Sequence, residues 1–346
     1  MSIGWVLLGA GRHAERNVVP QFKNASGAKR VAVVSRDRAR GEAFAQKHGF
    51  ARAYASLQEA LRDPEVDALY DATPDGLHAG HAIEAAKAGK HSLIDKPLAI
   101  SLREGEQAIE ACRQHGVKLG VVFNQRHEAV HRQARSLVLA GEIGEVVLAR
   151  VQVLLRPAQG TPAPYGGNWR TDPKMRSGGV LMSIGDHAYD TLAYLIGQDI
   201  EEVCAFTDAT RADAPNERMA AMMLKLSGGA VGHAVSTSKT PFALRPFEIH
   251  GTKGSLILTN TYTYLSGAGE DPRPSLELLN ERGSSVQHFA PTECFRLEIE
   301  QFNRAIQGEG EPMTSAREGL RALAIAEAMY ESVRGGRVVK VAEFLR

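Results

Sequence analysis

The sequence predicts an α/β protein of two domains: an N-terminal doubly wound parallel sheet, then an α+β domain with a large, mostly antiparallel sheet. Three observations predict it. Short, almost wholly apolar runs alternate with amphipathic segments from Ile3 to Phe123, as in a parallel sheet covered on both faces. After Asn124 the runs lengthen and alternate, as strands with a single covered face do. At 346 residues the chain exceeds what one core usually organises, so domains over 1–123 and 124–346 are expected.

The elements follow in order. Ile3-Gly4-Trp5-Val6-Leu7-Leu8 reads as a buried strand that runs into Gly9-Ala10-Gly11-Arg12-His13-Ala14, with a helix expected from Glu15. Strand, Gly-x-Gly-x-x-Ala turn and helix open a dinucleotide-binding unit of the Rossmann type. Gly9 permits the sharp turn, Gly11 lets a pyrophosphate approach the backbone, and Ala14 lets the helix pack closely on the strand. The helix N-terminus offers N–H groups and a positive dipole end to phosphates. A second apolar run, 29–35, comes at the expected distance, and 37–47 is helical as far as Gly49. Ser56-Leu57-Gln58-Glu59 fits a capping box. Residues 67–72 form a strand closed by Thr73-Pro74-Asp75-Gly76, and a helix over 78–88 stops at Gly89. A strand at 91–94, a capping box at Ser101-Leu102-Arg103-Glu104, a helix to His115 and a strand at 117–123 complete the series.

In the second half a helix is expected over 128–140 and a long strand over 145–155. The Pro- and Gly-rich stretch 156–174 reads as a loop, and long loops inside domains often carry function. A helix over 180–196 precedes strands at 202–207, 218–226, 230–236, 247–251, 255–258 and 275–279. Helices at 293–307 and 315–334 and a short strand at 337–341 end the chain.

Composition narrows the function. With 43% hydrophobic and 23% charged residues and a formal charge of +1, the chain is an ordinary soluble globular protein, not a nucleic-acid binder. Cys112, Cys204 and Cys294 are odd in number and lack metal or redox spacing, which suits a reducing compartment. No run reaches the roughly 18 apolar residues of a membrane span. Gly9 and Arg12 interrupt any leader-like start, so a cytoplasmic location is expected.

Four groups of residues could carry chemistry. At the end of the second strand, where Asp or Glu would accept from the ribose hydroxyls of NAD, stand Ser35 and Arg36. A hydroxyl and a guanidinium match a 2′-phosphate, so NADP(H) is favoured over NAD(H). The plainer alternative makes Arg36 a solvated loop residue and gives Asp37 the acidic role. Asp95-Lys96-Pro97 follows a parallel strand, where carboxyl ends line the ligand crevice; a lysine there can act as general acid or base, though most lone lysines are surface residues. Ser183, Asp186, His187 and Asp190 are spaced by three or four and would share one helix face, as a catalytic cluster or a satisfied structural one. Finally, His127-Glu128-Ala129-Val130-His131 matches the zinc-protease helix signature, and His78 and His81 have zinc-like spacing. Neither has a further ligand at a fitting distance, and no metal is expected.

With these motifs in place the chain resembles the Gfo/Idh/MocA family, the glucose–fructose oxidoreductase and inositol dehydrogenase group. The resemblance spans essentially the whole chain: Gly9-Ala10-Gly11 to Ala14; Thr73-Pro74-Asp75 with His78, Asp standing for the usual Asn; Gly89-Lys90-His91 to Asp95-Lys96-Pro97, Asp standing for Glu; Trp169-Arg170 and Ser177-Gly178-Gly179; and Gly251-Thr252-Lys253-Gly254-Ser255. The resemblance implies hydride transfer between a nicotinamide cofactor and a carbinol or carbonyl carbon of a sugar or cyclic polyol. It implies that Lys96 exchanges the hydroxyl proton and His187 holds the same oxygen. It places the cofactor on Gly9, Ala10, Gly11, Arg12, His13, Ser35, Arg36, Thr73, Pro74, His78, Asp95 and Lys96. The substrate would meet Lys96, Arg126, Trp169, Arg170 and His187. The Ser-Arg pair, with Arg40-Gly41 nearby, resembles the NADPH-dependent 1,5-anhydrofructose reductase subgroup. One departure stands out: the family's helix reads Asp-x-Gly-x-His, and here Ser183 replaces its first carboxylate. Either Asp186 or Asp190 is expected to compensate, or the substrate is bound differently from the usual polyol; the remaining alternative is a cofactor-binding sensor without turnover. Self-association through the second domain's sheet, as a homodimer or homotetramer, is implied as well.

Overall fold

The computed structural model describes residues 2–156, 169, 172, 174–208, 217–263 and 273–345. They form two compact units: Met1–Asn124 with Trp169–Ser177 and Glu293–Leu323, and Gln125–Asn168 with Gly178–Thr292 and Ala324–Arg346.

The first unit holds a parallel sheet of β1 (Ile3–Leu8), β2 (Ala28–Val34), β3 (Arg52–Tyr54), β4 (Ala68–Asp71), β5 (His91–Asp95) and β6 (Leu119–Val122). Among the described residues their order is β3-β2-β1-β4-β5-β6. The winding therefore reverses between β1 and β4, and the carboxyl ends on either side of that point are where a doubly wound sheet binds ligands. Every residue of β1 is buried, which explains its uninterrupted apolar run. Trp5 anchors it: the indole Nε1 donates to Asn303 Oδ1 at 3.0 Å, and its ring meets Phe22 edge-on at 5.7 Å and Phe302 at 5.8 Å.

Those contacts alter the expected single cut at residue 123. The helix Cys294–Ile306 buries Phe295, Ile299 and Phe302, and through them it covers the first unit's sheet. The chain thus returns to its first unit late, because an apolar stripe belongs wherever a sheet face lacks a cover. The helix after Gly11 also differs from expectation. It opens as a π-turn, Ala14–Val18, before the α-turn Val19–Phe22. Pro20 has no N–H for the Arg16 carbonyl and its ring would crowd that oxygen, so the wider turn relieves a clash. Ser56 and Ser101 cap their helices as expected, each accepting the N–H three residues on at 3.3 Å.

The second unit is built on β7 (Val146–Leu154), β8 (Ile200–Thr207), β9 (Met219–Leu226), β10 (Val231–Thr237), β11 (Phe247–Gly251), β12 (Gly254–Thr259), β13 (Ser275–Asn280), β14 (Gly283–His288) and β15 (Val339–Lys340). Among the described residues they run β14-β13-β12-β11-β7-β10-β9-β8-β15; β7 and β10 are parallel and the other pairs antiparallel. One face of the sheet buries Ala149, Val151, Met222, Leu224 and Ala234, and the helix Asp186–Ile196 packs on β7 and β10. The opposite face leaves Phe206 70% and Met223 44% exposed. Among the described residues no helix is long and apolar enough to cross a membrane.

Candidate functional site

In the first unit the turn after β1 is shaped by two glycines. Gly9 has φ +91°, and a Cβ there would sit 2.8 Å from the Ala72 carbonyl oxygen, so only glycine fits. At Gly11 no described atom beyond its chain neighbours lies within 4 Å of where a Cβ would stand. Internal packing therefore does not require that glycine, whereas close approach of a pyrophosphate would. The Ala10 carbonyl accepts from the Arg40 guanidinium. Ser35, buried just past β2, packs against Gly41, whose Cβ would lie 3.2 Å from the serine Cβ. Arg12 and Arg36 are exposed.

The same unit brings the lysine turn to the glycine turn. His13 Nε2 pairs with Asp95 Oδ2 at 2.9 Å, and Asp95 Oδ1 accepts the Lys96 N–H at 3.1 Å. Burial opposes ionisation of Asp95, but the facing charges of His13, Lys96 and His78 outweigh it and hold its carboxyl below the usual range. Lys96 is half-buried, and the Lys96–Pro97 bond is cis.

Between these turns lies the loop 73–76. Asp71, fully buried at the end of β4, accepts from the Thr73 N–H at 2.9 Å, the Thr73 hydroxyl at 2.6 Å and His81 Nδ1 at 2.8 Å. Burial works against its charge, yet the His81 bond and the neighbouring His78 and His81 keep its pKa depressed. His78 is only 1% exposed, and its two ring nitrogens face the carbonyls of Pro97 and Thr73. It therefore meets main chain on both edges of its ring, and its influence on any ligand passes through that main chain. Asp75 Oδ2 accepts both the N–H (3.1 Å) and hydroxyl (2.7 Å) of Ser177. Gly76 donates to Met175 O at 3.3 Å, and a Cβ at Gly76 would overlap the Lys174 carbonyl. Trp169 belongs to this unit too, its carbonyl accepting the Asp172 N–H at 3.1 Å. Arg170 lies outside the described residues.

In the second unit the expected helix over 180–196 begins as a π-turn, Leu181–Gly185, and becomes α-helical at Asp186. Its start is held by buried Glu217, whose carbonyl accepts the Val180 N–H at 2.9 Å and whose Oε1 accepts the Leu181 N–H at 2.8 Å and the Tyr330 hydroxyl at 3.1 Å. Ser183 is exposed, whereas Asp186, His187 and Asp190 are buried. The four therefore do not share one environment, since the wide turn breaks the 3.6-residue count on which the shared face rested. Asp190 is gripped by Arg126, Nε to Oδ2 at 3.0 Å and Nη2 to Oδ1 at 2.5 Å, and the guanidinium lies 5.3 Å over the Tyr194 ring. Asp186 Oδ1 accepts the His187 N–H at 2.8 Å, and the His187 carbonyl accepts the Tyr262 hydroxyl at 3.2 Å.

The zinc-like motif does not lie on one helix. His127 closes the 3-10 turn Asn124–His127, and the helix begins only at Ala129. Between them the Glu128 carboxylate accepts the N–H groups of Tyr262 (3.1 Å) and Thr263 (2.6 Å) and the Thr263 hydroxyl (3.0 Å). His131 Nδ1 bonds the Gln125 carbonyl at 2.8 Å. Among the described residues no three His, Cys, Asp or Glu side chains are placed to hold a metal ion. Sequence reasoning missed Glu128, Glu217 and Tyr262 as supports, and nothing local in the sequence marks them. Asp71 did carry a signal, an acid ending a buried strand.

Comparison with known proteins accords with this geometry. Residues 3–123 match the family model "Oxidoreductase family, NAD-binding Rossmann fold", and residues 135–341 match "Oxidoreductase family, C-terminal alpha/beta domain", both of the Gfo/Idh/MocA group. The 1,5-anhydro-D-fructose reductase of Ensifer adhaerens is 30% identical, the alignment covering 97% of this chain and 98% of that one. The D-xylose 1-dehydrogenase (NADP(+)) 2 of Haloferax volcanii is also 30% identical with the same coverage. The scyllo-inositol 2-dehydrogenase (NAD(+)) of Bacillus subtilis is 25% identical over 97% of this chain and 95% of that relative. Among solved structures, the aldose-aldose oxidoreductase from Caulobacter crescentus complexed with glycerol superposes with a TM-score of 0.86 at 26% identity, covering 98% of this chain and all of that one.

Proposed function

The chain belongs to the Gfo/Idh/MocA family of oxidoreductases acting on CH–OH groups, and on that premise we propose that it reduces or oxidises a sugar, sugar derivative or cyclic polyol with NADP(H) preferred. Bound on the glycine turn, the nicotinamide cofactor supplies or accepts the hydride. In this reading the backbone of Gly9–His13 would hold the pyrophosphate, and Ser35 and Arg36 would meet the 2′-phosphate. Thr73 and Pro74 border the same carboxyl-end crevice. Lys96 Nζ exchanges the proton of the reacting hydroxyl, and His187 orients the substrate oxygen. Trp169, Arg170 and Arg126 are assigned to the rest of the substrate. Because Asp190 is committed to Arg126, Asp186 is the carboxylate assigned to the role that Ser183 cannot fill.

The observation that carries this reading is the His13–Asp95 pair, which sets Lys96 beside the dinucleotide turn within a single unit. The test combines cofactor binding with turnover. NADPH should quench or enhance nicotinamide fluorescence at lower concentration than NADH, and Arg36→Ala should erase that preference. A screen of aldoses and cyclic polyols should find activity that Lys96→Ala lowers by roughly 10²–10⁴-fold while cofactor still binds. Binding of neither nucleotide refutes the proposal. Binding without turnover on any such substrate favours the non-catalytic sensor. We also assign the apolar outer face of the second unit's sheet, with Phe206, Met223 and Val231, to self-association.

A further inference from the structure

We propose that His78 is a positioning residue that works as a buried imidazolium, a two-ended donor clamping the loop 73–76 to the turn that carries Lys96. The geometry requires two protons. His78 Nδ1 lies 2.7 Å from the Pro97 carbonyl and Nε2 lies 2.9 Å from the Thr73 carbonyl. A carbonyl oxygen only accepts, so each ring nitrogen must donate, and a neutral imidazole carries one N–H, not two. With the ring 1% exposed, a neutral form would leave a lone pair facing a carbonyl and no water to intervene.

The charges around the ring fit a cation. Asp71 faces it from the end of β4, Asp75 from the loop at the start of its own helix, and Asp95 from the end of β5. His81, on the next turn of the His78–Lys87 helix, is spent on Asp71, and Lys96 faces Asp95. Burial disfavours the imidazolium, but the three carboxylates and the Pro97 carbonyl outweigh it and raise its pKa above the ordinary histidine value.

The consequence is mechanical. Pro97 directly follows Lys96, and Thr73 opens the loop that Asp71 and Asp75 tie down on either side. One imidazolium thus fixes the spacing between the lysine and the loop bordering the same crevice, without touching a ligand. This role rests on the reading of Lys96 as the proton-exchanging group. The protonation state does not, and the two are tested separately.

The experiment is ring-nitrogen NMR of ¹⁵N-histidine-labelled protein across neutral and alkaline pH, with the His78 signals assigned through their contacts with Pro97. His78 should keep both N–H protons throughout the range in which an ordinary imidazole loses one. A single ring proton on His78 in that range overturns the proposal. The kinetic arm uses His78→Gln, whose one amide nitrogen cannot span both carbonyls. Its kcat should fall roughly 10- to 100-fold, the scale of a displacement of about 1 Å, with the Kd for NADPH within about twofold. The acid limb of its pH–rate profile should shift, because Asp71 and Asp95 lose a neighbouring positive charge, which a purely structural loss would not produce. An unchanged kcat and profile would overturn the positioning role. If Lys96→Ala is itself fully active, the functional reading fails while the doubly protonated ring stands.

Discussion

Glu128 provides the sharpest separation between a chemical and a structural reading of the His-Glu-x-x-His segment. Its buried carboxylate takes three hydrogen bonds, at 3.1, 2.6 and 3.0 Å, from the Tyr262 and Thr263 segment. Tyr262 has φ +57°, a left-handed conformation that costs a non-glycine residue about 1–3 kcal/mol and persists only if its surroundings hold it. Two N–H groups on one carboxylate supply that hold. Glu128→Gln keeps the shape but turns one acceptor oxygen into an NH₂ group aimed at donors. A bond to a buried charge is worth about 1.5–3 kcal/mol net, and stranding part of such a cluster costs about 3–5 kcal/mol. The expected loss of about 3–5 kcal/mol corresponds to a fall in Tm of roughly 6–20 °C by calorimetry. Thr263→Val, which deletes one bond, should cost about 1–2 kcal/mol and add little on top of Glu128→Gln. Because the Tyr262 hydroxyl bonds the His187 carbonyl, a moderate fall in kcat should accompany the change. A Glu128→Gln protein that melts like wild type, or that loses bound zinc and activity together at unchanged Tm, would refute the reasoning.

Other expectations follow from the same contacts. Asp186→Asn should lower kcat while leaving Tm within a few degrees. Asp190→Asn should instead destabilise, because the buried Arg126 charge loses its partner, at about 3–5 kcal/mol by denaturant titration. Asp71 and Asp95 have folded pKa values below the ordinary carboxylate value of 3.8, so their contribution is present at neutral pH and lost as pH falls from there through the folded values. His78 behaves oppositely, contributing below its ordinary value of 6.5 and losing that contribution as pH rises through its raised folded value; Tm against pH for wild type and Asp71→Asn reads the acid limb directly. Phe302→Ala should cost about 3–5 kcal/mol by opening a cavity beneath Trp5. Light scattering should find an oligomer that Phe206→Asp with Met223→Glu reduces to monomer; a monomeric wild type at micromolar concentration would refute the assigned face.

What the sequence made legible depended on burial. β1, β2, β4, β5 and β6 lie in a sheet covered on both sides, so each showed as an apolar run. β3 and β14 went unread for the opposite reason. β3 is three half-buried residues, and every residue of β14 is exposed and, among the described residues, paired only along β13, so neither strand has a hydrophobic period to detect. The late return of Cys294–Ile306 to the first unit was half legible. A helix over 293–307 is expected from the sequence, but a local helical pattern does not name the sheet the helix will cover.

The site divides along the same line. Residues whose role follows from a local turn, Gly9 above all, could be placed from sequence because the turn itself dictates them. Residues whose role follows from charge pairing could not. From spacing alone Asp186 and Asp190 were equivalent replacements for the carboxylate missing at Ser183. The structure separates them through Arg126, a residue far away in sequence whose fork fits one carboxylate. The bidentate bond to Arg126 balances the Asp190 charge and fixes its geometry, so Asp186 is the carboxylate to test first. Asp186, seated where the π-turn gives way to α-helix and bonded to the N–H of His187, is the acid whose movement or protonation would be felt by the histidine next to it. The substitution at Ser183 is therefore best tested at Asp186 first. If Asp186→Asn leaves kcat, KM and the pH profile unchanged, no carboxylate on this helix takes up the role.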